Sequence, residues 1–120
     1  MHNFTLNVLS EREDQVVIEL AGPLNAATGS SLRQALLERL EQGCHKLFLD
    51  CASLDYIDSS GLSCLLDVVR ESVRCGHDKC VALYALKPDT LSLLHISGLL
   101  HFMQVLEDLP ADLLQQEEKI

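Results

Sequence analysis

Lys46-Leu-Phe-Leu-Asp50, a link over Cys51 to Ile57, then Asp58-Ser59-Ser60-Gly61 and Leu62 onward to Arg74: this stretch decides the fold. Lys46 to Asp50 reads as a hydrophobic strand. Beyond the tetrapeptide the period changes. From about Gly61 to Arg74, Leu62, Leu65, Leu66, Val69 and Val73 recur at helical spacing, with Asp67, Arg70, Glu71 and Arg74 on the opposite face. The tetrapeptide therefore sits where a strand ends and an amphipathic helix begins. An aspartate and two serines are natural caps there, because their oxygens accept bonds from the free backbone N–H groups of the first turn. A second reading stays open beside the cap: one serine hydroxyl is chemically modified and reports its state to a partner.

Working outward, Phe4 to Leu9 alternates apolar and polar positions, a strand period. Ser10 to Asp14 is a polar turn, and Val16 to Ala21 is a β-branched strand ending at Gly22-Pro23. The two strands are spaced as an antiparallel hairpin. Ala26 to Gln42 reads as a helix with Leu32, Ala35, Leu36 and Leu40 on one face, Asn25 as its N-cap and Gly43 after its end. Gly29 weakens the propensity of its first turns.

Past Gly76, Cys80 to Leu86 is almost wholly apolar, as in a strand covered on both faces. Pro88 opens a third helix, with Leu91, Leu93, Leu94 and Ile96 as its apolar positions and Ser97-Gly98-Leu99-Leu100 as its end. Phe102 to Leu106 is a short last strand, and Asp108 to Gln116 a final helix with Pro110 at its start. The order predicts one α/β domain over residues 1–120: a mixed, largely parallel sheet of four to five strands flanked by about four helices.

Composition narrows the function. A formal charge of −9 argues against a nucleic-acid or anionic-membrane surface, which needs clustered Lys and Arg. No apolar run approaches the roughly 20 residues of a membrane span, and Met1 to Thr5 carries no export signal. The expected location is the cytoplasm. Five cysteines fit free thiols in a reducing compartment. Cys51 and Cys64 read as small core residues. Cys75-Gly-His77-Asp78-Lys-Cys80 lacks the spacing of four zinc ligands and reads as a turn, so no metal or other cofactor is expected.

Enzyme motifs fail in turn. Ile57-Asp-Ser-Ser-Gly-Leu62 lacks the first glycine of a nucleophile elbow, and His2, His45, His77, His95 and His101 carry no supporting motif for a triad. No glycine-rich phosphate loop is present. What remains is a carboxylate and two hydroxyls at a helix N-terminus. A phosphate there would add about −1.5 to −2 charge at pH 7. The helix dipole and free N–H groups would stabilise it, so its effect would fall on a binding partner rather than on folding.

Three segments carry a family resemblance. Leu54-Asp-Tyr-Ile-Asp58-Ser59-Ser60-Gly61-Leu62 resembles the signature of the anti-sigma factor antagonists, the stand-alone bacterial STAS domains. Leu94-His-Ile-Ser97-Gly98-Leu99 is similar to the end of that family's third helix, and Leu20-Ala-Gly22-Pro23-Leu24-Asn25 to the turn before its first. The resemblance implies a non-enzymatic binding module. Unphosphorylated, it holds an anti-sigma factor that is itself an ATP-dependent serine kinase. The kinase phosphorylates the serine after the motif aspartate, the complex dissociates, and a metal-dependent serine phosphatase resets it.

Carried onto this chain, the phosphoacceptor is Ser59, with Ser60 as the alternative. Asp58, Gly61, Leu62, Pro23 and Asn25 complete the partner-binding set, and Gly61 allows close approach of the kinase. The expected state is a monomer or weak dimer. One departure stands out: the family turn usually carries Glu and Asp where this chain has Pro23 and Asn25. Asn25 keeps the cap but not the charge that the family associates with the phosphorylation surface. The alternative function is an accessory or scaffold STAS domain of a transporter or signalling assembly, without a sigma-factor partner.

Overall fold

The computed structural model describes residues 3–12, 14–77 and 79–106. Five strands form one sheet in the order β1-β2-β3-β4-β5. The hairpin of β1 (Thr5–Glu11) and β2 (Gln15–Leu24) is antiparallel, with a bulge between Val8 and Ser10. Helix α1 (Ala26–Glu41) then crosses to β3 (Lys46–Ile57), α2 (Ser59–Arg74) to β4 (Val81–Tyr84), and α3 (Pro88–Ser97) with a 3₁₀ turn (Leu99–His101) to β5 (Gln104–Leu106). Each crossover joins parallel neighbours, because the intervening helix returns the chain to the end of the sheet where the previous strand began. The final helix expected over Asp108 to Gln116 lies outside the described residues.

The link expected over Cys51 to Ile57 is strand. β3 runs unbroken from Lys46 to Ile57, and its second half buries Cys51, Leu54 and Ile57, every third residue. The cause is two register shifts against β2, between Glu19 and Ala21 and between Gly22 and Pro23. Each shift rotates the following side chains, so the two-residue alternation that marks a strand is lost. The strand expected over Cys80 to Leu86 is shorter, ending at Tyr84.

Alternation in the regular parts sorts the side chains onto two faces. Val16, Ile18, Leu47, Leu49, Val81 and Leu83 join the main core. It is closed by Leu32, Leu36 and Leu40 of α1, Leu65, Val68 and Val69 of α2, and Leu94 of α3. Val17, Phe48, Ala82 and Tyr84 form a second cluster on the other face. Burial pushes the Cys51 thiol up to about 12 and the Cys80 thiol to about 11, and raises the Tyr84 phenol, with the neighbouring Asp50 carboxylate adding to the Tyr84 shift. Cys51 is a core residue as expected. Cys64 is half-buried, because its sulfur lies in the seam between α1 and α2 rather than beneath them.

That seam is close. A Cβ on Gly29 of α1 would stand 2.9 Å from the Cys64 sulfur and 3.3 Å from the Gly61 Cα. The glycine that weakens the start of α1 in isolation is thus the residue that lets the two helix N-termini meet.

Candidate functional site

The first turns of α1 and α2 share one end of the sheet, where β2 and β3 finish side by side at Leu24 and Ile57. The Asp58 amide donates to the Leu24 carbonyl at 3.1 Å, tying the start of α2 to the end of β2. Asn25 caps α1. Its side-chain oxygen accepts from the Ala27 and Thr28 amides at 3.1 and 3.2 Å. The Thr28 hydroxyl returns the bond, accepting from the Asn25 amide at 2.9 Å and donating to the Pro23 carbonyl at 2.7 Å. This is a capping box with threonine in the third helical position.

Asp58 caps α2 with one bond, its carboxylate accepting from the Gly61 amide at 2.9 Å. Helix α2 therefore begins at Ser59, two residues before the expected start at Gly61. Ser59 and Ser60 are both exposed in its first turn. Their amides have no acceptor among the described residues, since the first turn of a helix has none of its own. Gly61 is buried, and any Cβ there would collide with the Leu24 carbonyl oxygen. Its smallness serves the contact between α2 and β2, a packing reason beside the one the family resemblance implies.

Ser59 and Leu62 face a surface hollow of about 260 Å³. Its far wall is the turn after α3. Gly98 takes the left-handed conformation at φ 79° and ends that helix. The Ser97 hydroxyl donates to the Leu94 carbonyl at 2.9 Å and accepts from the Leu99 amide at 3.4 Å, which fixes the turn. Ser97, Gly98 and Leu99 thus stand opposite Ser59, so two separate motifs of the chain meet across one cavity. Ser60 is outside the lining, and Pro23 and Asn25 sit at the α1 turn, with the Asn25 side-chain nitrogen 3.5 Å from the Tyr56 hydroxyl.

Ser63, Leu66 and Phe102 also line the hollow and are absent from the sequence-derived set. The signal for two of them was present: Ser63 and Leu66 lie one turn beyond Ser59 and Leu62. Nothing local marks Phe102, which reaches the site only through the 3₁₀ turn.

The STAS-domain profile matches residues 7–111. This chain belongs to the STAS-domain family. A Bordetella bronchiseptica protein that bears the name of an anti-sigma factor antagonist, BtrV, is 31% identical over 86 residues, 72% of this STAS domain and 72% of that chain. The anti-sigma factor antagonist SpoIIAA in its unphosphorylated form has the same fold, with a TM-score of 0.71 at 18% identity, covering 98% of this chain and all of that one. The Bacillus cell fate determinant SpoIIAA in its phosphorylated form aligns with a TM-score of 0.66 at 21% identity, covering 88% and 93%. No helix among the described residues of this STAS domain is long and apolar enough to cross a membrane.

Proposed function

We propose that this STAS domain is an anti-sigma factor antagonist whose binding is switched by phosphorylation of Ser59. The observation that carries the reading is the exposed Ser59 hydroxyl in the first turn of α2, beside free amides and facing a hollow walled by Ser97-Gly98-Leu99. The name borne by its 31% identical relative supports the partner class. The physical logic is local. A phosphate on Ser59 meets the positive end of α2, which accepts it without unfolding. It also fills the mouth of the hollow with charge and bulk, and a partner seated there is expelled. The protein acts by occupancy rather than catalysis, in the cytoplasm, between a serine kinase that is its target and a phosphatase that restores it.

The test is phosphotransfer and binding with the cognate anti-sigma factor kinase. Incubation with Mg-ATP should place one phosphate on Ser59, read by peptide mass spectrometry. Ser59→Ala should bind constitutively and Ser59→Asp at least tenfold more weakly. Phosphate on Ser60 would move the site, and equal affinity of the two variants would defeat the charge switch. A stable complex with a transporter subunit and none with a kinase would favour the scaffold role.

A further inference from the structure

Helix α2 carries two apolar seams. One, with Leu65, Val68 and Val69, is buried in the core beside Ser72. The other, along its flank, runs Leu62, Leu66 and Val73, the i, i+4, i+11 positions of a row whose i+7 member is the buried Val69. The fold covers this second seam only in part, with Leu62 and Leu66 half-buried and Val73 exposed. Its first half lines the hollow at Ser59. Its second half lines another hollow of about 320 Å³, formed by Leu66, Val69, Arg70, Val73 and Phe102. Leu66 and Phe102 belong to both, so the two are one trough along α2. From Ser59 to Val73 it is about 21 Å long at helical rise. Val73 and Phe102, on its two walls, each remain 47% exposed.

Charge in the trough is equally uneven. Of the charged residues of α2, Asp67 pairs with Arg33 of α1 at 3.0 Å, and Glu71 pairs with Arg74. Arg70 has no such partner among the described residues, and it stands in the wall of the second hollow. An unpaired guanidinium beside apolar surface, in a chain of net charge −9, selects a carboxylate from whatever docks.

We propose that this trough seats one amphipathic helix of the anti-sigma factor, with apolar anchors at i, i+4 and i+7 and a carboxylate set against Arg70. The inference rests on the reading of the chain as an antagonist and adds the shape and charge of what it holds. A helix fits the observations better than a strand, because the trough offers a helical ridge and no sheet edge. It also explains how one phosphate can release a partner: Ser59 lies at the end of the same trough, so the modified group abuts the seated helix.

The test uses the full chain as Ser59→Ala, so that no phosphate accumulates, titrated with the purified anti-sigma factor kinase at low and high salt. Arg70→Glu and Val73→Asp should each weaken binding at least tenfold, with circular dichroism confirming the fold. Arg70→Lys should recover most of the affinity. Arg70→Gln should flatten the salt dependence. Arg74→Glu, outside the trough, should change affinity less than threefold. If Arg70→Glu and Val73→Asp bind like the parent while Ser59→Asp still releases the kinase, the trough proposal fails and the antagonist reading stands. If no variant binds the kinase, both fall. Self-association that Val73→Asp abolishes would assign the trough to a second copy of this chain and overturn the proposal.

Discussion

Two helix N-termini lie side by side in this STAS domain, and they are capped differently. At α1, Asn25 and Thr28 bond each other reciprocally, and the threonine hydroxyl is further committed to the Pro23 carbonyl. At α2, Asp58 makes a single bond to the Gly61 amide and the two serine hydroxyls that follow stay exposed. One end has used its hydroxyl to hold itself together. The other holds itself with a carboxylate and leaves its hydroxyls exposed. A helix start can thus be structural or receptive, and what decides is where the first-turn oxygens are spent.

The largest effect that would sharpen this contrast comes from the glycines beneath the two ends. Gly61→Ala drives a methyl into the Leu24 carbonyl, part of the backbone that anchors α2, and nothing flexible can yield. A loss of about 3 kcal/mol is expected, the upper end for overpacking. Gly29→Ala meets the Cys64 sulfur at 2.9 Å, a side-chain atom that can rotate. The gain in helix propensity of about 1 kcal/mol offsets the crowding, so its net change stays within about 1 kcal/mol. Urea midpoints of the two variants test the pair. Equal losses would mean that the two helix starts are held alike.

Alkaline pH should weaken the core without distinguishing the two helix starts. Cys51, at about 12 in the fold, and Cys80, at about 11, lie above the ordinary thiol value of 9.0, and Tyr84 is raised too. A raised acid contributes stability that is intact below its unfolded pKa and lost as pH climbs toward the folded one. Stability should therefore hold to about pH 9 and then fall by about 1.4 kcal/mol per pH unit for each buried thiol. Chemical denaturation at pH 8, 9.5 and 10.5 reads this directly. A flat profile would mean that the thiols are solvated. Cysteine-to-alanine exchange at Cys51 should remove its share of the slope.

Cap removal is smaller and asymmetric. Asn25→Ala loses the acceptor of two amides, at an expected cost of about 2 kcal/mol, whereas Asp58→Ala loses one bond and about 1 kcal/mol. The reverse order would erase the distinction between the two ends. Asn25→Asp should change stability by less than about 0.5 kcal/mol, because the two residues cap equally well. It restores the carboxylate usual in the family, and the rate of Ser59 phosphorylation should rise if that charge belongs to the phosphorylation surface.

Much of this was legible in the chain. Asn25 and Asp58 announce themselves as caps, and the alternation of strand and helix after the first hairpin leads directly to a mixed sheet. Four features were not legible, for physical reasons. The second half of β3 hides because bulges in its pairing with β2 replace a two-residue burial period with Cys51, Leu54 and Ile57 at three. In α2, Leu62, Leu66 and Val73 show helical period yet are not sealed in the core, because periodicity reports a face and not what covers it. The site itself is a meeting of Ser59 with Ser97-Gly98-Leu99 and Phe102, some 40 residues apart along the chain. Ile96, expected inward, is 85% exposed, because α3 turns only Leu94 fully into the core.

The smallest expected effect separates the two ends most cleanly. Phosphate on Ser59 adds negative charge at the first position of α2, where the dipole and the amides of Ser59 and Ser60 favour it by about 0.3–1 kcal/mol. Repulsion from the Asp58 carboxylate, the preceding residue, works against that gain. The two terms are of similar size, so the melting temperature of the phosphorylated protein should stay within a few degrees of the unmodified one. A negative charge at the third position of α1, as Thr28→Glu, removes the hydroxyl that bonds Asn25 and Pro23. A glutamate can return a bond to the Asn25 amide, as in an ordinary capping box, but cannot donate to the Pro23 carbonyl. A loss of about 1 kcal/mol is expected there. Paired thermal melts of phosphorylated Ser59 and of Thr28→Glu measure the difference. If phosphorylation unfolds the protein and the Thr28 variant does not, the release of a partner would be a consequence of local melting, and α2 would be a fragile end instead of a receptive one.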